Sequence, residues 1–202
     1  MLTGSGHTDK IMRINMSVSP MSEKTLTLGQ GPALLEVFLE PTCPFSVKAF
    51  NKLDDLVALV GADNLTVRII LQSQPWHLFS GVIVRAILAG RSQIDGNQAA
   101  LKIMQAVADH REEFEFTDHC RGPNMDATPR QIIERLEKYS GVSVQEAFDQ
   151  PDLQQLIKWH CKYARQNGIH VSPTFMINGL VQADMGSGEE ISQWAQRIRD
   201  NA

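Results

Sequence analysis

In this 202-residue chain, Cys43 is the side chain whose setting best supports nucleophilic chemistry. It sits in Pro41-Thr42-Cys43-Pro44-Phe45-Ser46. An apolar run, Ala33-Leu34-Leu35-Glu36-Val37-Phe38-Leu39, comes before it, and an amphipathic run beginning Lys48-Ala49-Phe50 follows. That order puts the thiol where a buried strand ends and a helix begins. Pro44 then falls on the first helical position, where a missing N–H costs nothing and φ is already set. A thiol there faces unpaired N–H groups and the positive end of the helix dipole. Both favour the thiolate, and the thiolate is the nucleophile. Ser46 falls in the first turn, where its hydroxyl can donate a hydrogen bond to that thiolate. The arrangement requires Cys43 to be partly exposed.

Periodicity predicts the elements that hold these residues. Leu34 to Glu40 reads as a core strand, with Glu36 and Glu40 expected to reach solvent at its edge; a carboxylate buried under the thiol is the alternative. Pro44 to Val60 reads as one helix stopped by Gly61. Leu65 to Leu71 reads as a second strand, parallel to the first through a right-handed crossover. The loop after it, Gln72 to His77, lies at the carboxyl end of a strand, where ligand crevices form. Trp76 and His77 could therefore flank Cys43; packing is the alternative for both, and the favoured one for His77. From Leu78 to Gly168 the pattern is helical, with capping boxes expected at Thr128-Gln131 and Ser143-Glu146. Thr174 to Gln182 reads as a hairpin around Asn178-Gly179, and a closing helix follows a third expected box, Ser187-Glu190. Cys161 shares a helical stripe with Ile157 and Ala164 and is expected to be buried and inert. Cys120 falls in a polar loop. The His119-Cys120 and His160-Cys161 pairs lack zinc-type spacing, so no metal is expected.

Cys43-Pro44-Phe45-Ser46, with a strand before it and Val171-Ser172-Pro173-Thr174 about 130 residues later, resembles the DsbA-like members of the thioredoxin superfamily. Their motif is strand, Cys-Pro-x-Cys, helix; here the second cysteine is Ser46. The resemblance runs from Leu34 to the C-terminus. It implies an α/β thioredoxin fold, a mixed central sheet flanked by helices, with an inserted helical subdomain. The expected organisation is an N-terminal arm over 1–31 with a short edge strand at Thr25-Leu28, a thioredoxin-like domain over 32–75 and 169–202, and a helical insertion over 76–168. The resemblance also makes Pro173 the cis-proline facing the thiol. Ser172 would present backbone groups to an extended peptide or to glutathione, and Pro44 and Phe45 would contact substrate.

The net charge of −4 implies no basic face, so nucleic acid is an unlikely partner class. No 18-residue apolar run is present, so no membrane helix is expected. Residues 1–30 carry no apolar signal region, which gives a cytoplasmic expectation. The expected function is a thiol-disulfide oxidoreductase or disulfide isomerase working through one cysteine, on protein disulfides or glutathione mixed disulfides. Ser46 cannot resolve a mixed disulfide, so resolution needs a second molecule. No bound cofactor is expected; glutathione is a candidate co-substrate, and a homodimer is left open. Two alternatives stand beside this reading. One is a non-catalytic thioredoxin-fold module that grips peptides. The other is a glutathione-dependent transferase or isomerase.

Overall fold

The computed structural model describes residues 21–116 and 121–201. The apolar run before Cys43 forms β2, Ala33–Leu39, and pairs in parallel with β3, Leu65–Leu71, from Ala33 opposite Leu65 to Leu39 opposite Leu71. β1, Leu26–Gly29, is antiparallel to β3, and β4, Thr174–Ile177, is antiparallel to β2. β5, Leu180–Val181, closes the sheet in the order β1-β3-β2-β4-β5. A central strand covered on both faces should be almost continuously apolar, as β2 is. Leu35, Val37 and Leu39 enter the main core. Phe38 joins a second cluster with Ile70, Ala164, Ile169 and Met176 on the opposite face. The β4–β5 turn is Asn178-Gly179, with both φ values positive, at 46° and 86°. Those are type I′ signs and match the twist of the flanking strands.

Between β2 and β3 the chain forms α2, Pro44–Phe50, and α3, Leu53–Val60, rather than one helix. The break is at Lys52, whose N–H bonds back to the carbonyl of Ala49, three residues away. Its ammonium donates to the carbonyls of Ser187 and Glu189 at 2.8 and 2.6 Å, which holds this turn against the chain before the last helix. Between β3 and β4 come α4, Ser80–Arg91, α5, Gly96–Asp109, α6, Pro129–Ser140, α7, Gln145–Phe148, and α8, Pro151–Gln166. Ile83, Ile87, Ile103, Met104, Ile132 and Leu136 from α4, α5 and α6 extend the main core. α9, Ile191–Asp200, covers the same face of the sheet, with Trp194 fully buried against Phe175. A short helix, α1, Met21–Lys24, precedes β1.

Thr128 and Gln131 form the expected capping box. The other two differ. Ser143 does not cap α7; the Glu137 carboxylate instead collects the N–H groups of Val144 and Gln145. At α9 the box is Glu190 with Gln193, three residues beyond the expected Ser187. In both cases a carboxylate, a stronger acceptor than a hydroxyl, takes the orphan donors. Among the described residues, no helix is long and apolar enough to cross a membrane.

Candidate functional site

Three segments converge on the thiol. The β2–α2 junction supplies Cys43 as the N-cap of α2, with φ −67° and ψ 126° and Pro44 at the first helical position. Cys43 makes no cap hydrogen bond. Its thiol donates instead to the carbonyl of Ser172, with sulfur and oxygen 3.8 Å apart. That carbonyl precedes a cis peptide bond to Pro173, so the loop before β4 supplies the second segment. The loop leaving β3 supplies the third: Gln74 Oε1 accepts a hydrogen bond from the Ser172 hydroxyl at 3.2 Å.

Cys43, Pro44, Phe45, Ser172 and Pro173 are thus brought together. Trp76 stands on the third segment, two residues from Gln74. It is half exposed, with its ring beside His77.

The expectations for Cys43 and Ser46 need correction. Cys43 is only 6% exposed, because the Ser172 carbonyl covers its sulfur and the flanking Pro41 and Thr42 are buried. The neighbouring Phe45, at 64%, is what solvent meets. Ser46 is fully buried, and its hydroxyl accepts the backbone N–H of Glu40 at 3.3 Å rather than serving Cys43. It fastens the end of β2 to the first turn of α2.

Glu36 and Glu40, expected near solvent, are 1% and 0% exposed. Glu40 follows β2 directly and turns into a pocket between the β2–α2 junction and the helical insertion. Its carboxylate accepts the N–H and hydroxyl of Thr42, both at 2.9 Å. His77 Nε2 lies 3.7 Å from it. On its other side the same imidazole meets the Glu115 carboxylate through Nδ1. Burial pushes the Glu40 carboxyl above the usual carboxylate range, opposed by hydrogen bonds from Ser80 and Thr42, by His77 and by the Cys43 N–H. Arg111, from the insertion, donates to the Thr42 carbonyl at 3.4 Å.

Glu115 was not among the sequence candidates, and for His77 packing was the favoured reading. A signal existed in Phe114-Glu115-Phe116, a carboxylate between two aromatics that are both buried.

Cys161, expected in the core, is only partly buried. α8 turns Leu153, His160 and Ala164 inward instead. Cys120 lies outside the described residues. Among the described residues, no group of three or more side chains is placed to hold a metal ion.

The family model described as thioredoxin matches residues 22–197. A crystal structure of a candidate protein-disulfide isomerase from Pseudomonas syringae is 65% identical. It superposes with a TM-score of 0.84, over 86% of this chain and 97% of that one. More distant structures share the fold. ScsC from Proteus mirabilis, in a transitional conformation, is 14% identical with a TM-score of 0.68, over 89% of this chain and 73% of that one. A thioredoxin-like oxidoreductase from Silicibacter pomeroyi DSS-3 is 19% identical with a TM-score of 0.63, over 88% and 91%. No curated protein matches the sequence. With a family model spanning nearly the whole chain and a strand-Cys-Pro-helix junction facing a cis-proline loop, this protein belongs to the thioredoxin family.

Proposed function

We propose that the protein is a thiol-disulfide oxidoreductase or disulfide isomerase that works through Cys43 alone, on protein disulfides or mixed disulfides. The observation that carries this reading is the Cys43 sulfur at the N-terminus of α2, against the Ser172 carbonyl before Pro173. The 65% identical structure described as a candidate protein-disulfide isomerase supports it.

In the proposed reaction the Cys43 thiolate attacks one sulfur of a substrate disulfide. The substrate S–S bond breaks, a Cys43–substrate S–S bond forms, and the departing thiolate takes up a proton. A thiol from a second group then attacks the mixed disulfide and releases Cys43, because Ser46 has no sulfur to do so. When that thiol belongs to the substrate, the result is isomerisation. When it belongs to glutathione, the result is release.

The Ser172 carbonyl that accepts from the thiol can also receive the N–H of an extended substrate as a strand-type acceptor. The exposed apolar side chains around the site, Phe45, Trp76, Leu78 and Val171, suit unfolded, apolar peptide segments.

The test is reactivation of a scrambled-disulfide protein in a glutathione buffer. The chain accelerates it, Cys43→Ala falls to the buffer rate, and a peptide substrate is trapped as a covalent adduct on Cys43. The low exposure of Cys43 favours one rival, a peptide-gripping module without turnover. Peptide affinity unchanged in Cys43→Ala, with no acceleration by the unmodified chain, would establish that rival instead.

A further inference from the structure

The helical insertion reaches the β2–α2 junction with polar groups, and they converge on one peptide unit. Thr42 and Cys43 have all their backbone polar groups bound. The Thr42 N–H goes to the Glu40 carboxylate at 2.9 Å, and the Cys43 N–H to the Glu40 carbonyl at 3.2 Å. The Cys43 carbonyl takes the Val47 N–H inside the first turn of α2. The Thr42 carbonyl takes the Arg111 guanidinium. The peptide plane between Thr42 and Cys43 is thus held at both ends, at its oxygen by Arg111 and at its nitrogen by Glu40. The direction of that plane sets where the sulfur points.

Glu40 is tied to the insertion as well, through His77 and Glu115. Arg111 and Glu115 stand at the two ends of a short segment that begins as a 3₁₀ turn, Arg111–Glu113. The rest of the insertion holds that segment. Asn124, 2% exposed, donates through Nδ2 to the carbonyls of Glu112 and Glu115 at 3.1 and 2.8 Å. One nitrogen of Arg135, from α6, donates to Asn124 Oδ1 at 2.6 Å and to the Glu113 carbonyl at 2.8 Å. Phe114 is buried in the main core, and Glu115 Oε1 accepts the Phe116 N–H at 2.8 Å. Apolar contact is non-directional, and it would be enough to pack the insertion on the junction. A satisfied polar network fixes one geometry, and this one ends on the peptide plane that carries the thiol.

We propose that Arg111 and Glu115 are positioning residues for disulfide exchange at Cys43. Through the Thr42–Cys43 peptide and Glu40, they set the line along which the sulfur meets a substrate disulfide. This rests on the reaction proposed for Cys43. Neither side chain touches the substrate in it. A peptide is received by the Ser172 carbonyl and by the exposed Trp76 and Val171, which stand on the other two segments. Loss of either arm therefore slows attack within the bound complex and leaves peptide affinity as it was. A misplacement of about 1 Å caused from outside the reacting groups costs up to about 100-fold in rate.

The experiment uses the full chain and a peptide whose cysteine carries 2-nitro-5-thiobenzoate as a mixed disulfide. Attack by Cys43 releases the coloured thiolate. Single turnovers over a range of peptide concentrations give a maximal rate and a half-saturation point, after subtraction of any release that persists in Cys43→Ala. The same peptide with serine in place of its cysteine gives the affinity by fluorescence anisotropy. Arg111 is a quarter exposed, so its replacement is expected to fold, and urea unfolding checks this. Arg111→Met is expected to lower the maximal rate about tenfold or more, with half-saturation and affinity unchanged. Arg111→Lys, which keeps a donor, recovers most of that loss. Glu115→Leu acts in the same direction, and Glu115→Gln, which keeps an acceptor for the imidazole, recovers it. A maximal rate in Arg111→Met within about twofold of the unsubstituted chain would overturn the proposal, as would a loss confined to affinity. If the unsubstituted chain releases no thiolate, the reaction proposed for Cys43 fails by itself. Iodoacetamide labelling, located by peptide mapping, then tests the two arms. A changed labelling rate at Cys43 in Arg111→Met, with Cys161 labelled as before, supports them, and an unchanged rate overturns them.

Discussion

β2 ends between two buried carboxylates, and their surroundings differ. Glu36 points to the α8 face. There the Tyr163 hydroxyl donates to it at 2.8 Å, and Arg68 supplies a nearby positive charge. Tyr163 itself stacks on Phe38 and Trp159. Burial raises the Glu36 carboxyl, and the phenol and Arg68 pull it back. Glu40 points to the insertion face, where its neighbours are an imidazole and, beyond it, a second carboxylate, with Cys43 three residues along the chain. The first arrangement is a wall in which one donor satisfies one acceptor. The second places two carboxylates around one imidazole, close in the chain to Cys43. A fold has no structural need for that second arrangement, and functional sites are where such imbalance gathers. The comparison sets Glu36 among the packing groups of the α8 face and Glu40 at the β2–α2 junction that carries Cys43.

The largest effect that sharpens this contrast is expected from His77→Ala. It leaves Glu40 and Glu115 buried together with the intervening donor removed, and breaking such a set costs about 3–5 kcal/mol. Urea unfolding at neutral pH measures it. A loss below about 1 kcal/mol would mean that the cluster is solvated and that the contrast is false.

Acid tests the α8 face by another route. His160 accepts the Leu71 N–H through Nδ1 and donates to the Lys24 carbonyl through Nε2. Burial lowers it to about 4. The unfolded chain, with an ordinary histidine near 6.5, therefore binds the proton first. Stability is fully present above about 6.5 and falls as the pH drops toward 4, by about 3 kcal/mol from this group. His160→Asn, which has no titrating group, should lose that dependence when unfolding is compared at pH 7 and pH 4.

Tyr163→Phe removes one hydrogen bond from Glu36 and costs about 1–3 kcal/mol, with disulfide exchange intact. A drop in exchange rate larger than any drop in stability would move Glu36 into the site. Ser46→Ala should give the smallest change, about 1 kcal/mol for the bond to the Glu40 N–H, and an exchange rate within about twofold, since ~0.4 kcal/mol is the scale of that change. A much larger rate loss would restore the hydroxyl's expected service to the thiolate.

The thiol and its proline loop were legible because each is set by its near neighbours. An apolar run, a cysteine and a proline define the first, and Ser172-Pro173-Thr174 before a strand defines the second. The acid cluster was not legible in the same way. His77 and Glu115 are 38 residues apart and meet only because the insertion docks there. Cys161 was misread because the buried position on α8 is a histidine, and a hydrophobic stripe counts no histidine. The strand acids were misplaced for a related reason. Periodicity gives the face of a carboxylate, and only tertiary packing supplies the phenol or imidazole that lets it stay inside.

Cys43 and the carbonyl that covers its sulfur lie 129 residues apart in the chain. At roughly 5–20 residues per second on the ribosome, that separation is about 6–26 s of synthesis. Until Ser172 has been made, emerged and folded back, the sulfur lacks this cover, and the other two cysteines of the chain are added meanwhile. The contact that covers Cys43 in the finished molecule is thus one of the last that the nascent chain can form.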